Sequence, residues 1–332
     1  MPIRSGGRHP DLRSRAITFV AVLALMTTAC TSDGVSTGAA APLEPTEPFE
    51  VATATVGSAP TAEATAVTGG PTTVASGTAA LPTTALEPGA IELFRPEVLA
   101  AYPHDDTAFT QGLEIHEGQL LESTGRQGHP GGSEIFGSDL RRVDIETGAV
   151  LRLVDAPGDV FAEGLTRVGD ELFQLTWRDE QAFTWDAATF ERRREFRYQG
   201  EGWGLCYDGD RLVMTDGSST MFFRDPETFE ILDRVQVTQR GQPVELLNEL
   251  ECVGDRVWAN VWRTDLIVRI DPETGIIDGL VDASGLEQPR TPPTEVLNGI
   301  AWDDTTGTWL LTGKFWPTVY RVRLVSEGVI GG

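Results

Sequence analysis

Lys314 is the residue of this chain whose type most directly suggests chemistry. It is the only lysine among 26 basic residues, and the other 25 are arginines. An ammonium is a compact point charge, and a wide planar guanidinium does not replace it in a tight site. Chance survival of one lysine under a compositional bias is the alternative explanation. A functional role is favoured by the position of Lys314 in an internal repeat.

A short apolar unit recurs five times between residues 109 and 300. Each copy is followed by a turn and a second apolar run, which is typical of a β-hairpin. The copies are 109–113 (FTQGL), 161–165 (FAEGL), 202–205 (GWGL), 247–250 (LNEL) and 297–300 (LNGI).

An Asp-x-x-Thr turn marks the outer strands of four units. These turns begin at Asp144, Asp186, Asp225 and Asp271, so they are 42, 39 and 46 residues apart. That spacing is the length of a four-stranded propeller blade. The pattern predicts an all-β fold, a five-bladed β-propeller over residues 91–332. The last unit ends too early for its own outer strand, and we expect residues 97–102 to supply that strand and close the last blade.

Aligning the five hairpins brings ten positions to one level of the predicted central channel. In an antiparallel hairpin the start of one strand lies beside the end of the next. A repeat needs similar residues at equivalent positions, so divergent chemistry at a single level indicates a site. The positions are Gln111, Glu163, Trp203, Asn248 and Asn298 on the first strands, and Gly125, Trp177, Gly217, Trp262 and Lys314 on the second strands. The two glycines should leave room beside the larger side chains.

Nine motifs within residues 98–324 resemble the plant and bacterial glutaminyl-peptide cyclotransferases. They are 102–105 (YPHD), 108–113 (AFTQGL), 122–125 (ESTG), 164–166 (GLT), 202–205 (GWGL), 247–251 (LNELE), 258–262 (WANVW), 297–302 (LNGIAW) and 312–316 (TGKFW). The resemblance implies a five-bladed propeller that converts N-terminal glutamine of peptides to pyroglutamate with loss of ammonia. It implies no cofactor and no metal. The sequence does not decide whether a structural ion occupies the channel.

The resemblance also implies roles for particular residues. Glu163 corresponds to the catalytic carboxylate, and Lys314 and Asn248 correspond to pocket residues. The chemistry of cyclisation then suggests Glu163 as the proton shuttle and Lys314 or Asn248 as the group that stabilises the oxyanion. The implied substrate-binding residues are Phe109, Gln111, Phe161, Trp177, Trp203 and Trp262. Residues 128–133 (GHPGGS) are a departure that we interpret as a loop insertion.

From the residues alone, other interpretations stay open. Glu163 and Lys314 are equally consistent with a static ion pair, the tryptophans with core packing, and Asn260 and Asn298 with structural hydrogen bonding. A non-catalytic binding module is one alternative function. A metal-dependent propeller hydrolase is another, because Glu163, Asn248 and Asn298 also resemble a set of oxygen ligands for calcium. The ammonium of Lys314 at the same level argues against a bound cation.

The N-terminus is predicted to be a secretory signal over residues 1–30. A basic segment precedes a short apolar run, 16–26, that is too short to span a bilayer. Cys30 follows a small residue, as in a lipoprotein signal, so we expect lipidation there, although Thr27 replaces the usual leucine. Residues 31–90 are rich in Thr, Ala, Pro and Gly and predict a disordered tether. The folded domain is therefore expected outside the cytoplasm, anchored by lipid or secreted.

The net charge of the chain is −24. Such a charge disfavours nucleic acid and anionic membrane surfaces as partners. The lipid anchor is therefore the only membrane contact that we expect. We also expect the protein to be a monomer. The histidines show no zinc-ligand spacing. For Cys206 and Cys252 we expect buried free thiols, because nothing in their spacing demands a disulfide.

Overall fold

A computed structural model describes residues 89–125, 137–286 and 296–331 of this chain. These residues form twenty-two β-strands and no helix, so the predicted all-β class is confirmed. Within the three ranges, no helix is long and apolar enough to cross a membrane. The predicted signal, Cys30, residues 31–88 of the predicted tether and the 128–133 insertion lie outside the described residues.

The first strand, β1, spans Ile91–Pro103, and three four-stranded antiparallel sheets follow it. Sheet 1 consists of β2 (Thr110–His116), β3 (Gln119–Thr124), β4 (Asp139–Val143) and β5 (Val150–Asp155). Sheet 2 consists of β6 (Ala162–Val168), β7 (Glu171–Thr176), β8 (Gln181–Asp186) and β9 (Arg192–Arg197). Sheet 3 consists of β10 (Leu205–Tyr207), β11 (Leu212–Met214), β12 (Thr220–Arg224) and β13 (Ile231–Gln236).

The remaining strands form a small hairpin and one larger sheet. The hairpin pairs β14 (Thr238–Gln239) with β15 (Gln242–Pro243). Sheet 4 consists of β16 (Leu247–Val253), β17 (Arg256–Val261), β18 (Leu266–Ile270) and β19 (Ile277–Asp282). Sheet 5 consists of β20 (Leu297–Asp303), β21 (Thr308–Gly313), β22 (Thr318–Ile330) and β1.

β1 is the fourth strand of sheet 5. It pairs antiparallel with β22 from Ile91 opposite Ile330 to Pro103 opposite Thr318. Its beginning also pairs in parallel with β19, which joins sheets 4 and 5 into one eight-stranded sheet. The N-terminal strand of the described chain is thereby held by the C-terminal one.

The first strands of the five sheets pack against one another in chain order, and β20 packs back against β2. Glycines in the repeated motif permit this close approach, since they lack a Cβ. A Cβ on Gly204 would lie 1.9 Å from the backbone oxygen of Asn248, and one on Gly164 would lie 2.6 Å from that of Trp203. The repeated glycines therefore allow five strand beginnings to converge.

The core lies between the faces of neighbouring sheets. Leu121 and Leu140 of sheet 1 pack with Leu165 and Phe183 of sheet 2. Similar clusters join sheet 2 to sheet 3, sheet 4 to sheet 5, and sheet 5 to sheet 1. The fourth strands of sheets 1 to 3 are largely exposed. Burial therefore concentrates around the first strands, where the predicted site residues lie.

Cys206 and Cys252 form a disulfide, so the expectation of free thiols was wrong. The two residues lie on β10 and β16, the first strands of adjacent sheets, and their Cα atoms are 5.5 Å apart. That separation is within the usual range for a disulfide. Spacing along the chain could not reveal this pairing, because it depends on two repeat units lying side by side.

Candidate active site

The aligned positions of the repeat are equivalent in the structure in four of the five units. In each of them, the backbone N–H of the second-strand position donates to the carbonyl oxygen two residues before the first-strand position. These hydrogen bonds are Gly125 to Phe109 at 2.9 Å, Trp177 to Phe161 at 2.8 Å, Trp262 to Leu246 at 2.8 Å and Lys314 to Val296 at 3.0 Å. The predicted common level therefore holds for Gln111, Glu163, Asn248 and Asn298.

A break in the strand register coincides with each of these four residues. The pairing of the first hairpin shifts between Thr110 and Gly112, between Ala162 and Leu165, between Leu247 and Leu250, and between Leu297 and Ile300. A β-bulge of this kind bends the strand and re-aims a side chain, and bulges are frequent beside active sites. The bulges were not predicted from the sequence.

Gln111 connects the two charged groups of the site. Its Nε2 donates to Oε1 of Glu163 at 3.1 Å, and its Oε1 accepts from Nζ of Lys314 at 2.7 Å. Nδ2 of Asn298 donates to the carbonyl oxygen of Thr110 at 3.0 Å and approaches Oε1 of Gln111 at 3.4 Å. The side chain of Gln111 is thus oriented by an ammonium at one end and a carboxyl group at the other.

Glu163 is a buried carboxyl group with a perturbed acidity. Its residue is 5% exposed, and its Oε2 has no hydrogen-bond partner among the described residues. Burial raises the pKa of Glu163 well above its ordinary value, against the opposing charge of Lys314, and the carboxylate of Glu201 raises it further. Buried carboxyls of this kind are frequent at catalytic sites, because a raised pKa suits proton transfer near neutral pH.

Five aromatic side chains form an arc beside these polar groups, and we call them the aromatic arc: Phe109, Phe161, Trp177, Trp203 and Trp262. The ring centroids of Phe109 and Phe161 are 5.9 Å apart, and those of Phe161 and Trp177 are 5.7 Å apart. Trp203 and Trp262 meet edge to face at 5.4 Å. Nζ of Lys314 lies 4.5 Å from the centroid of Phe109, which is a cation–π contact at one end of the arc.

Glu201, which was not among the predicted site residues, joins the two halves of the aromatic arc. Its Oε2 accepts from the indole Nε1 of Trp177 at 2.7 Å and of Trp203 at 3.0 Å, while its Oε1 accepts from Nε of Arg178 at 2.7 Å. Burial raises the pKa of Glu201, but these hydrogen bonds outweigh it and the pKa is lowered. Glu201 is therefore an anion that fixes both indoles and acts on Glu163 through its charge.

A sequence signal for Glu201 did exist. Glu201 stands two residues before Trp203, the position held by Phe109, Phe161, Leu246 and Val296 in the other units. An acid at a position that is otherwise apolar breaks the repeat in the same way as the residues that we selected. Position 201 was not selected, because only the positions at the common level were compared between the units.

The two glycines of the aligned level adjoin the aromatic arc, as predicted. A Cβ on Gly125 would lie 2.3 Å from Phe161 and 3.1 Å from Phe109. A Cβ on Gly217, whose φ is +82°, would lie 2.6 Å from the side chain of Trp203. Larger residues at these two positions would therefore collide with the arc.

Asn248 and Asn260 differ in their hydrogen bonding. Asn248 is buried on β16, and its Oδ1 has no hydrogen-bond partner among the described residues. Asn260 accepts from the backbone N–H of Gly299 at 3.1 Å, so the expected structural role of Asn260 is confirmed. Oδ1 of Asn248 and Nδ2 of Asn260 are both buried without a hydrogen-bond partner among the described residues.

A family model described as glutamine cyclotransferase matches residues 72–324 of this chain. The chain belongs to the glutamine cyclotransferase family. It is 40% identical over 243 residues to the glutaminyl-peptide cyclotransferase of Arabidopsis thaliana, which covers 71% of this chain and 73% of that protein. The crystal structure of the glutaminyl cyclase of Myxococcus xanthus is similar with a TM-score of 0.65 and 40% identity, covering 72% of this chain and 100% of that chain. The resemblance seen in the sequence motifs is confirmed.

Proposed function

We propose that this chain is a glutaminyl-peptide cyclotransferase, which converts the N-terminal glutamine of peptides and proteins to pyroglutamate and releases ammonia. Membership of the glutamine cyclotransferase family supports the activity. The structural observation that carries the proposal is the buried Glu163. Its Oε2 has no hydrogen-bond partner among the described residues, and its Oε1 is linked through Gln111 to the ammonium of Lys314. This is the arrangement that a proton-shuttling cyclisation requires.

Glu163 is assigned the proton transfers. The α-amine nitrogen of the substrate attacks its own side-chain amide carbon, so a ring C–N bond forms while the bond to the amide nitrogen breaks. The amine must lose a proton, and the departing nitrogen must gain one to leave as ammonia. One carboxylate can accept the first proton and return it to the leaving group, ending in its starting form.

Stabilisation of the oxyanion is assigned to Lys314 or Asn248. Negative charge develops on the amide oxygen when the amine attacks, and a donor that is already in place lowers the barrier. Nζ of Lys314 is held at 2.7 Å from Oε1 of Gln111, which fixes its position. Asn248 is buried at the same level, and Nδ2 of its side-chain amide is a hydrogen-bond donor. Both groups are therefore suited to the role.

The aromatic arc is assigned the binding of the glutamine side chain. Intramolecular attack gains much of its rate from holding the two reacting groups in a ring-forming geometry. Planar rings fixed by edge-to-face contacts and by Glu201 provide rigid apolar walls for the methylene groups. Desolvation by these walls also keeps the pKa of Glu163 high.

A five-bladed β-propeller, with the N-terminal strand closing the last blade, is the architecture that we propose. Two observations support it. The strands form five groups of four, the last of which is completed by β1. The first strands of these groups pack on one another in a cycle that returns from β20 to β2.

The compartment proposed is the outside of the cytoplasmic membrane, with a monomeric protein attached by lipid at Cys30 or secreted. The Cys206–Cys252 disulfide supports an oxidising compartment, since such bonds are rare in the cytoplasm. Mass spectrometry of the mature protein from its native host would test the anchor. An unmodified N-terminus beyond residue 30 would contradict lipidation.

The activity is tested with the full-length chain and a glutamine-initiated peptide. Ammonia release and the matching mass loss of the peptide should rise together above a protein-free blank. A peptide whose N-terminal amine is acetylated should not react, because its nucleophile is blocked. Retention of the rate in EDTA would separate this enzyme from the metal-dependent hydrolase. Absence of turnover by the folded protein would contradict the proposal and favour a binding module.

A further inference from the structure

Arg224, on β12, is a buried cation without a carboxylate partner. Its residue is 4% exposed, and no Asp or Glu oxygen among the described residues lies within 4.0 Å of its guanidinium. The described contacts of the guanidinium are a hydrogen bond from Nη1 to the carbonyl oxygen of Phe229 at 2.9 Å and one from Nε to Sδ of Met214 at 3.2 Å. Burying a charge is costly unless it is paired, so this residue needs an explanation.

Two aromatic faces account for part of the stability of this cation. The guanidinium carbon lies 5.4 Å from the ring centroid of Tyr198 and 4.8 Å from that of Phe229, both within cation–π range. The pKa of Arg224 is lowered to about 10, mainly by burial and also by the nearby positive charge of Arg234, while Tyr198 acts to raise it. Arg224 therefore remains charged at neutral pH, without a counter-ion from the described residues.

Arg224 lines a cavity of about 380 Å³ between sheets 2 and 3. Arg234 lines the same cavity and also has no carboxylate within 4.0 Å among the described residues. Arg234 lies opposite Phe222 in the pairing of β12 with β13, and Phe222 shares a sheet face with Arg224. Two cations therefore face one cavity from adjacent strands. Arg197 is a third cation of the lining, but it is paired with Glu195.

The acids around the cavity do not neutralise these two arginines. Glu201 lines the cavity, but its oxygens are held by Arg178 and by the indoles of the aromatic arc. Asp216 accepts from the backbone N–H of Ser218 at 3.0 Å. Glu230 is exposed to solvent. The cavity thus combines an unpaired buried cation with space beside it.

We propose that this cavity is a binding site for a small oxyanion, a carboxylate or a phosphate, held by the guanidiniums of Arg224 and Arg234. A guanidinium presents parallel N–H donors that match the oxygens of either group, often in a bidentate arrangement. The site is separate from the residues assigned to the reaction. It borders the aromatic arc at Glu201, which lines the cavity and accepts hydrogen bonds from two indoles of the arc.

The test is anion-dependent thermal stabilisation of the full-length protein at neutral pH. Phosphate and glutarate are titrated separately against sodium chloride of equal ionic strength, because a ligand that binds only the folded state raises Tm in a saturable way. The wild type should show a saturable rise with at least one of the two anions, and the better one identifies the preferred class. Isothermal titration calorimetry with that anion should give a stoichiometry of one.

Variants decide whether the effect belongs to this cavity. Arg224→Met keeps an unbranched side chain in place of the aliphatic stem, removes the guanidinium and its charge, and should lose the anion-dependent rise. Arg234→Met, at an exposed position, should weaken binding by about tenfold and also covers the case in which Arg224→Met does not fold. Arg152→Met removes an exposed arginine of sheet 1 and should retain the full effect. An equal rise in the wild type and both cavity variants would overturn the proposal, as would no saturable rise with either anion in the wild type.

Discussion

Nε2 of Gln111 donates a hydrogen bond to Oε1 of Glu163 at 3.1 Å, and this bond links the first strands of sheets 1 and 2. The orientation of the Gln111 amide is fixed by the ammonium of Lys314 on its oxygen. Gln111 thereby presents a donor, never an acceptor, to the carboxyl group of Glu163. The acidity of Glu163 should therefore depend on the identity of residue 111.

Gln111→Glu should move the acid limb of the activity profile to higher pH. The substitution preserves the shape of residue 111 and leaves Glu163 unchanged. Two adjacent carboxyls cannot both ionise easily, so the pKa of Glu163 should rise further. A higher pKa leaves less of the basic form at neutral pH, and kcat/KM there should fall by about tenfold or more. The measurement is kcat/KM against pH, and an unchanged acid limb would count against the role of Glu163 as the base.

Glu201→Gln should move the same limb in the opposite direction. The negative charge of Glu201 raises the pKa of Glu163, and the amide keeps an oxygen for the indoles of Trp177 and Trp203. The acid limb of kcat/KM should therefore shift to lower pH. The substrate amine must also be deprotonated, and it adds a second inflection on the same side of the pH profile. That inflection reflects the amine's own pKa, ordinarily about 7.7–8.0, and should stay in place. A parallel shift of both inflections would show that the effect is not specific to Glu163.

Substitution of Lys314 separates charge from shape. Lys314→Met should lower kcat/KM by about 10²–10³-fold, the loss typical of one oxyanion donor. Lys314→Arg keeps the charge, but Lys314 is only 2% exposed and its surroundings leave little room for a guanidinium. We expect arginine to restore less than a tenth of the lost activity. Full activity in Lys314→Arg would contradict the inference drawn from the single lysine of the sequence.

Much of the site was predictable because a repeat makes chemical divergence visible. An equivalent backbone hydrogen bond closes the first hairpin in four units. These are the units in which the alignment placed Gln111, Glu163, Asn248 and Asn298 at one level. The bulges were not predicted, because they depart from the regular hairpin. Glu201 was not predicted, because it lies two residues outside the level at which the units were compared. The Cys206–Cys252 disulfide was missed for a related reason, since contacts between neighbouring units leave no period in the sequence.

Gly125→Ala should damage the aromatic arc. The added methyl would lie 2.3 Å from Phe161, so that ring must move away from its contacts with Phe109 and Trp177. We expect a loss of about 1–3 kcal/mol in the free energy of unfolding and a severalfold rise in KM. Gly285→Ala is the matched control, since no atom of the described residues lies within 4 Å of its Cβ position. Equal effects of the two substitutions would contradict the close approach at Gly125.

Glu163→Gln is expected to fold well, which makes it a sharp test of the reaction. Because the pKa of Glu163 is raised in the folded protein, the folded state holds its proton more tightly than the unfolded chain does. The wild type therefore loses stability as pH rises from the ordinary glutamate value of about 4.3 through the raised pKa. The variant lacks this loss, so its Tm relative to wild type should increase from pH 4 to pH 8.

The most direct test of the account is the rate of ammonia release by full-length Glu163→Gln from a glutamine-initiated peptide at pH 8. The variant should retain wild-type or higher Tm and should lose about 10²–10⁴-fold in kcat, the usual contribution of a positioned acid–base group. A folded variant that retained wild-type kcat would contradict the assignment of Glu163 as the proton shuttle.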